Sequence, residues 1–182
     1  MQIFIYDIPV QSQKIFKKTF QVIRPAGAYF SLPIAGRDAS SGTITLSNGL
    51  LLKSRNLMDM LSDCEEVVFI AATVADSTAL MEKVAQTSLA DTAMVDEELS
   101  EMVNNSVAYI IKMLNANAIK KGKRILKKRI CPGFGDFDLS YQKMIFDLLK
   151  LDRLDMSITP DYMLLPQKSV LTVTGVTYES EE

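Results

Sequence analysis

The sequence predicts a single α+β domain, a curved and mainly antiparallel sheet packed by helices, and three observations lead there. Strand-like and helix-like segments are mixed along the chain without the regular strand–helix–strand alternation of a parallel fold. No Gly-x-Gly-x-x-Gly is present, which argues against a dinucleotide-binding domain. The chain has 182 residues, 48% of them hydrophobic, enough to bury one sizeable core.

Taken in order, residues 2–6 alternate and read as a short strand, and residues 10–22 carry helical spacing through Ile15, Phe16, Phe20 and Val22. Pro25-Ala26-Gly27 is expected to break the chain. Residues 28–32, 43–46 and 50–53 read as strands, the last two joined by Ser47-Asn48-Gly49, whose Asn-Gly pair is a hairpin signal. Ser54 is placed to cap a helix running to about residue 64. Residues 66–73 are apolar nearly throughout, as expected of a central strand covered on both faces. Asp76 or Ser77 starts a helix, and residues 92–120 fit one long helix with a broad apolar face through Met94, Val95, Leu99, Met102, Val103, Val107, Ile110, Ile111 and Leu114. Gly122 marks its end. A further helix is expected over 139–151, with Ile145, Phe146, Leu148 and Leu149 available for burial, and a β-branched strand over 170–177. The Glu179-Ser180-Glu181-Glu182 tail should fray.

Composition narrows the function classes. The formal net charge is −2, which does not imply a broad nucleic-acid surface. No apolar run approaches the length needed to cross a bilayer and no secretory leader is evident, so the cytoplasm is expected. Two cysteines, Cys64 and Cys131, are too few for a disulfide scaffold or a thiolate metal site. Histidine is absent, which removes Ser-His and Cys-His nucleophiles and histidine-bearing zinc sites from this chain. The methionines read as core filler rather than metal ligands. No spacing of carboxylates marks a catalytic pair.

The stretch that points to a ligand is Arg129-Ile130-Cys131-Pro132-Gly133-Phe134-Gly135-Asp136-Phe137-Asp138-Leu139-Ser140. Glycines flanking an aromatic expose backbone N–H groups and allow close approach, and a guanidinium fork suits a carboxylate or phosphate. The plainer reading is an ordinary turn at Pro132-Gly133, with Asp138 capping the next helix and Arg129 in solvent. A second element, Ile158-Thr159-Pro160-Asp161-Tyr162-Met163-Leu164-Leu165-Pro166-Gln167-Lys168-Ser169-Val170, opens a β-rich ending. An Arg-x-x-Pro-Gly-aromatic turn, a helix and an Ile-Thr segment leading into Leu-Pro-x-x-Ser-Val together resemble the activation (reactivation) domain of vitamin B12-dependent methionine synthase and its stand-alone relatives. The resemblance is better over 61–178 than over 1–60, within a single domain of 1–182.

That resemblance implies an accessory domain that binds S-adenosylmethionine as methyl donor for reductive methylation of cobalamin carried by a separate corrinoid protein, as in a split methionine synthase. It would then be a component of a methyltransferase rather than a complete enzyme. Arg129 matches the family's motif arginine, which would pair with the methionyl carboxylate. Cys131 falls where the family has a small residue touching the ligand through its backbone, and Gly133 matches the motif glycine. Phe134 keeps the ring of the family's tyrosine without its hydroxyl. Asn104, or Asn105, falls where the family carries a ligand-binding glutamate. Cys131 also sets a thiol near several cations, which lower thiol pKa values.

Just before the turn, Lys120, Lys121, Lys123, Arg124, Lys127, Lys128 and Arg129 form a basic run. Lys120 and Lys121 read as a helix end complementing its dipole. Lys123, Arg124, Lys127 and Lys128 are candidates for docking an acidic partner, and the resemblance supplies one in the family's flavin-containing electron donor. RNA is a poorer fit, since no aromatic stacking motif accompanies the charge. Two functions therefore compete: the S-adenosylmethionine-binding reactivation domain, and a non-catalytic module that docks on a corrinoid protein without using S-adenosylmethionine.

Overall fold

β-branched runs and amphipathic segments assemble into one antiparallel sheet with helices on both faces. The computed structural model describes residues 4–7, 25–86 and 88–178. In chain order the elements are β1 (Phe4–Asp7), β2 (Pro25–Asp38), β3 (Thr43–Leu46), β4 (Leu51–Lys53), α1 (Arg55–Met60), β5 (Glu66–Val74), α2 (Ser77–Ala85) and α3 (Leu89–Ile119). There follow β6 (Lys123–Ile125), α4 (Tyr141–Leu149), a 3-10 helix (Leu151–Leu154), β7 (Ser157–Ile158), β8 (Leu164–Leu165) and β9 (Ser169–Tyr178). The main sheet runs β4-β3-β2-β5-β9-β6 with β1 also beside β2, and β7–β8 form a separate hairpin. All of these pairings are antiparallel.

β5 lies between β2 and β9, and its alternation divides the core. Val67, Phe69 and Ala71 face α1, α4 and the 3-10 helix, packing with Leu57, Leu61, Phe137, Ile145 and Leu149. Val68, Ile70, Ala72 and Val74 face α2 and α3. A strand covered on both sides has little place for a polar residue, which is why its sequence is apolar nearly throughout; the buried Thr73 hydroxyl lies 2.7 Å from that of Ser169. On α3, Val95, Leu99, Val103, Val107 and Ile110 are all buried against that second face. At roughly 1.5–3 kcal/mol for each such side chain, this stripe rather than helix propensity holds α3 to the sheet.

Several boundaries differ from the sequence expectation. Pro25-Ala26-Gly27 does not break the chain: β2 begins at Pro25, the strand position where a missing N–H costs least. β2 then runs on to Asp38, pairing with β5 over its first part and with β3 after a register shift between Ile34 and Gly36, where a bulge bends the strand. α3 starts three residues before Thr92 because Ser88 caps it, its hydroxyl accepting the Asp91 amide at 3.2 Å. The signal was obscured because Leu89 is 86% exposed and lies off the apolar stripe. The 139–151 helix divides into α4 and the 3-10 turn at Lys150, which takes φ 52°. The helix expected over 10–22 lies outside the described residues.

Two edges are closed by side chains. The outward Ile125 amide of β6 donates to Asn115 Oδ1 on α3 at 2.9 Å, and the Lys53 amide of β4 donates to the Tyr141 hydroxyl at 2.9 Å. No helix among the described residues is long and apolar enough to cross a membrane.

Candidate functional site

The basic run is built as a bulge on the sheet edge. β6 pairs with β9 up to Ile125↔Val176, and pairing resumes at Ile130↔Val173. Leu126, Lys127, Lys128 and Arg129 must therefore fit opposite only Gly175 and Thr174. The Leu126 amide still reaches Gly175 O at 2.9 Å, and the surplus loops outward through 127–129. The fully buried Thr174 hydroxyl sits beneath the loop, 3.1 Å from Leu126 O and 2.9 Å from Lys128 O. Thr172 Oγ1 lies 3.3 Å from Ile130 O. The pairs Val68↔Thr174 and Ile70↔Thr172 put both hydroxyls on the α3 side of the sheet. Ile130 points into the opposite core, with Val173.

Beyond Ile130 the chain closes a tight turn. The Gly133 amide donates to Phe137 O at 2.7 Å, Phe134 to Cys131 O at 3.1 Å and Phe137 to Phe134 O at 3.1 Å. This corrects the expectation of freely exposed amides: those of Gly133 and Phe134 are engaged inside the turn, while Cys131 and Gly135 donate no bond within it. Gly135 has φ 62°, and a Cβ there would collide with the Asn56 side chain of α1. Next to it, the Asp136 carboxylate accepts from Ser54 Oγ at 2.6 Å and from the Arg55 and Asn56 amides at 2.7 and 3.2 Å. These bonds, the Ser54 hydroxyl foremost, hold its carboxyl below the ordinary carboxylate value. Phe137 is buried and stacks on Tyr141 at 4.8 Å between centroids. Asp138 Oδ1 accepts the Ser140 amide at 2.8 Å, just ahead of α4.

Arg129 is exposed, with no ion pair among the described residues, and the Phe134 ring is 67% exposed beside it in sequence. Arg124, Lys127 and Lys128 are also exposed and without ion pairs among those residues. Lys123 differs: it pairs with Glu65 at 2.8 Å and Glu66 at 3.5 Å, and lies over the Tyr178 ring. The Glu65 contact holds the Lys123 ammonium above its ordinary value and Glu65 below its own. Asn104 is exposed on α3, its amide donating to Ser100 O at 3.1 Å. The same turns of α3 carry Asp96 and Ser100, both held by Lys168 Nζ, at 2.6 and 2.9 Å. Lys168 thereby ties the corner before β9 to α3. The structure thus carries Arg129, Cys131, Gly133 and Phe134 on one continuous strap whose far end is clamped to α1, and it sets Asn104 apart from them, on α3, which packs on the other face of the sheet.

Two open clefts lie on the described surface, neither of them lined by Arg129, Cys131, Gly133 or Phe134. One, of about 890 Å³, runs beneath the end of α3 between Leu114, Lys120, Lys121, Lys123 and the strands at Phe30 and Val68. The other, of about 410 Å³, lies beside the Asp136 clamp with Lys53, Arg55, Ser140 and Tyr141. Among the described residues no cluster of three acidic or thiol side chains could hold a metal ion.

No protein-family profile matches the sequence, and no curated protein is recognisably similar to it. The structure, however, superimposes on the crystal structure of the MetH reactivation domain bound to AdoHcy with a TM-score of 0.65 and 15% sequence identity, over 88% of this chain. The chain has the fold of that domain. It spans 61% of the length of the matched chain.

Sequence reasoning gave no role to Thr174, Asp136 or Lys168; the last two lie inside the quoted stretches, but their partners are too far along the chain for turn chemistry to mark. The one available signal was the pair of threonines, Thr172 and Thr174, at core positions of an apolar strand, where a buried hydroxyl requires a partner.

Proposed function

We propose that this protein binds S-adenosylmethionine at the 129–134 strap and presents it to cobalamin held by a separate corrinoid protein, in a methionine synthase-like reactivation. The observation that carries this reading is the Arg-x-x-Pro-Gly-Phe strap, with its unpaired guanidinium, occurring on the fold of a domain solved with AdoHcy. AdoHcy is what remains of S-adenosylmethionine after methyl transfer.

The residues present fit such a ligand. Arg129 offers two parallel N–H donors to the methionyl carboxylate. The Cys131 amide, engaged by nothing in the turn, is a further donor. Gly133, at φ 90°, lets the strap turn tightly against Leu139, and the Phe134 ring can cover a planar base. When bound, S-adenosylmethionine supplies an electrophilic methyl group; the chain's own contribution is to hold and orient it. With no histidine in the sequence, the chain supplies no imidazole to cobalt. Arg124, Lys127 and Lys128 would steer an acidic partner, such as a flavin-containing electron donor or the corrinoid protein itself. Lys123 is the weakest of the docking set because its charge already has two carboxylate partners.

A second reading, a module that docks on a corrinoid protein without S-adenosylmethionine, draws on Asn104. It offers an amide where a cationic sulfonium or ammonium would favour a carboxylate, and that amide is bonded to its own helix. Calorimetric titration with S-adenosylmethionine, on wild-type and Arg129→Ala protein at the same salt concentration, separates the two. Saturable binding lost in the variant is expected. Absence of binding to wild type at millimolar ligand would favour the docking module, and equal affinity in both proteins would remove Arg129 from the site.

A further inference from the structure

We infer that Thr174, which lies under the strap and is fully buried, is the positioning residue that sets Arg129 for its ligand; this rests on the S-adenosylmethionine reading above. Four residues face two across the β6–β9 edge, and backbone pairing cannot dictate where the surplus goes. One side chain does. The Thr174 hydroxyl carries a single proton and lies within reach of the carbonyls of Leu126 and Lys128, the first at the base of the loop and the second next to Arg129. Without it, both carbonyls would lose their anchor beside a dry strand. The 127–129 loop would then be tethered at its ends alone, by the Leu126 amide on one side and by the Ile130↔Val173 bridge with the Thr172 hydroxyl on the other.

A bidentate guanidinium contact depends on orientation, so freeing the backbone on the N-terminal side of Arg129 should weaken binding even though Thr174 touches no ligand. The opposite end of the strap has its own clamp at Asp136, so the effect of Thr174 is confined to the Arg129 end.

The test uses Thr174→Val, which keeps the shape and removes the hydroxyl, and Thr174→Ser, which keeps the hydroxyl. S-adenosylmethionine affinity should fall about tenfold in the valine variant, the size expected for one lost hydrogen bond, and recover in the serine variant. Amide hydrogen exchange at Leu126 and Ile130, whose N–H groups bond to β9 at the two ends of the loop, should accelerate in the valine variant alone. If both variants lose stability but the valine variant binds like wild type, or its loop exchange is unchanged, the inference is overturned. If wild type itself does not bind, the reading under the proposed function fails instead, while the exchange comparison still decides whether Thr174 anchors the loop.

Discussion

Asp136 and Ser54 are 82 positions apart in sequence, yet the carboxylate of one lies 2.6 Å from the hydroxyl of the other. Ser54 Oγ in turn accepts the Leu57 amide at 3.0 Å, so it caps α1 while donating to Asp136. α1 has no acidic residue in its first turn; Asp136 supplies the anion that its N-terminus favours from the far end of the strap. Helix cap and strap are thereby one hydrogen-bonded unit.

The pH dependence of stability follows from that unit. The folded Asp136 carboxyl titrates below its ordinary value, so its contribution is present above the unfolded pKa and is lost as pH falls through the lower folded one. Asp136→Asn should lower the melting temperature at pH 7, and the gap from wild type should narrow below roughly pH 4. Thermal melts at pH 7 and pH 3 provide the comparison; a gap of equal size at both would show that the carboxylate charge is not involved.

Gly175 is required for packing. A Cβ built there would lie 2.5 Å from Leu61 Cδ2 and also run into Cys64, both buried in the turn after α1. That turn cannot retreat easily, since Arg37 holds its Leu61 and Cys64 carbonyls. Gly175→Ala should destabilise the protein by about 1–3 kcal/mol, read as a lower urea midpoint. An unchanged midpoint would mean that the turn yields freely.

The two cysteines should separate by reactivity. Burial pushes the Cys64 thiol up to about 11, leaving little thiolate at neutral pH. Cys131 is half-buried in the strap. An aromatic disulfide reagent at pH 8 should therefore label one thiol in the native protein and the second only on unfolding. Cys131→Ser should abolish the native phase; a native phase surviving that change would place the reactive thiol at Cys64.

Much of this architecture was written locally. The Ser47-Asn48-Gly49 hairpin, the doubly covered β5, the Ser54 cap and the apolar face of α3 each follow from turn chemistry or periodicity within a short window, and so they were legible in the sequence. So was the Pro132-Gly133 turn beside Arg129, because those residues carry their preferences with them. The sequence alone therefore determined an antiparallel α+β fold with a charged turn ahead of its last helix. Tertiary structure decided what that turn is. It made the basic run a bulge by setting four residues opposite two, anchored it on the Thr174 hydroxyl, neutralised Lys123 with Glu65 and Glu66, and clamped Asp136 to α1. The physical reason is range: periodicity and propensity act between residues a few positions apart, whereas these hydrogen bonds and ion pairs join segments from about 46 to 82 positions apart, which only the completed fold brings within 3.5 Å.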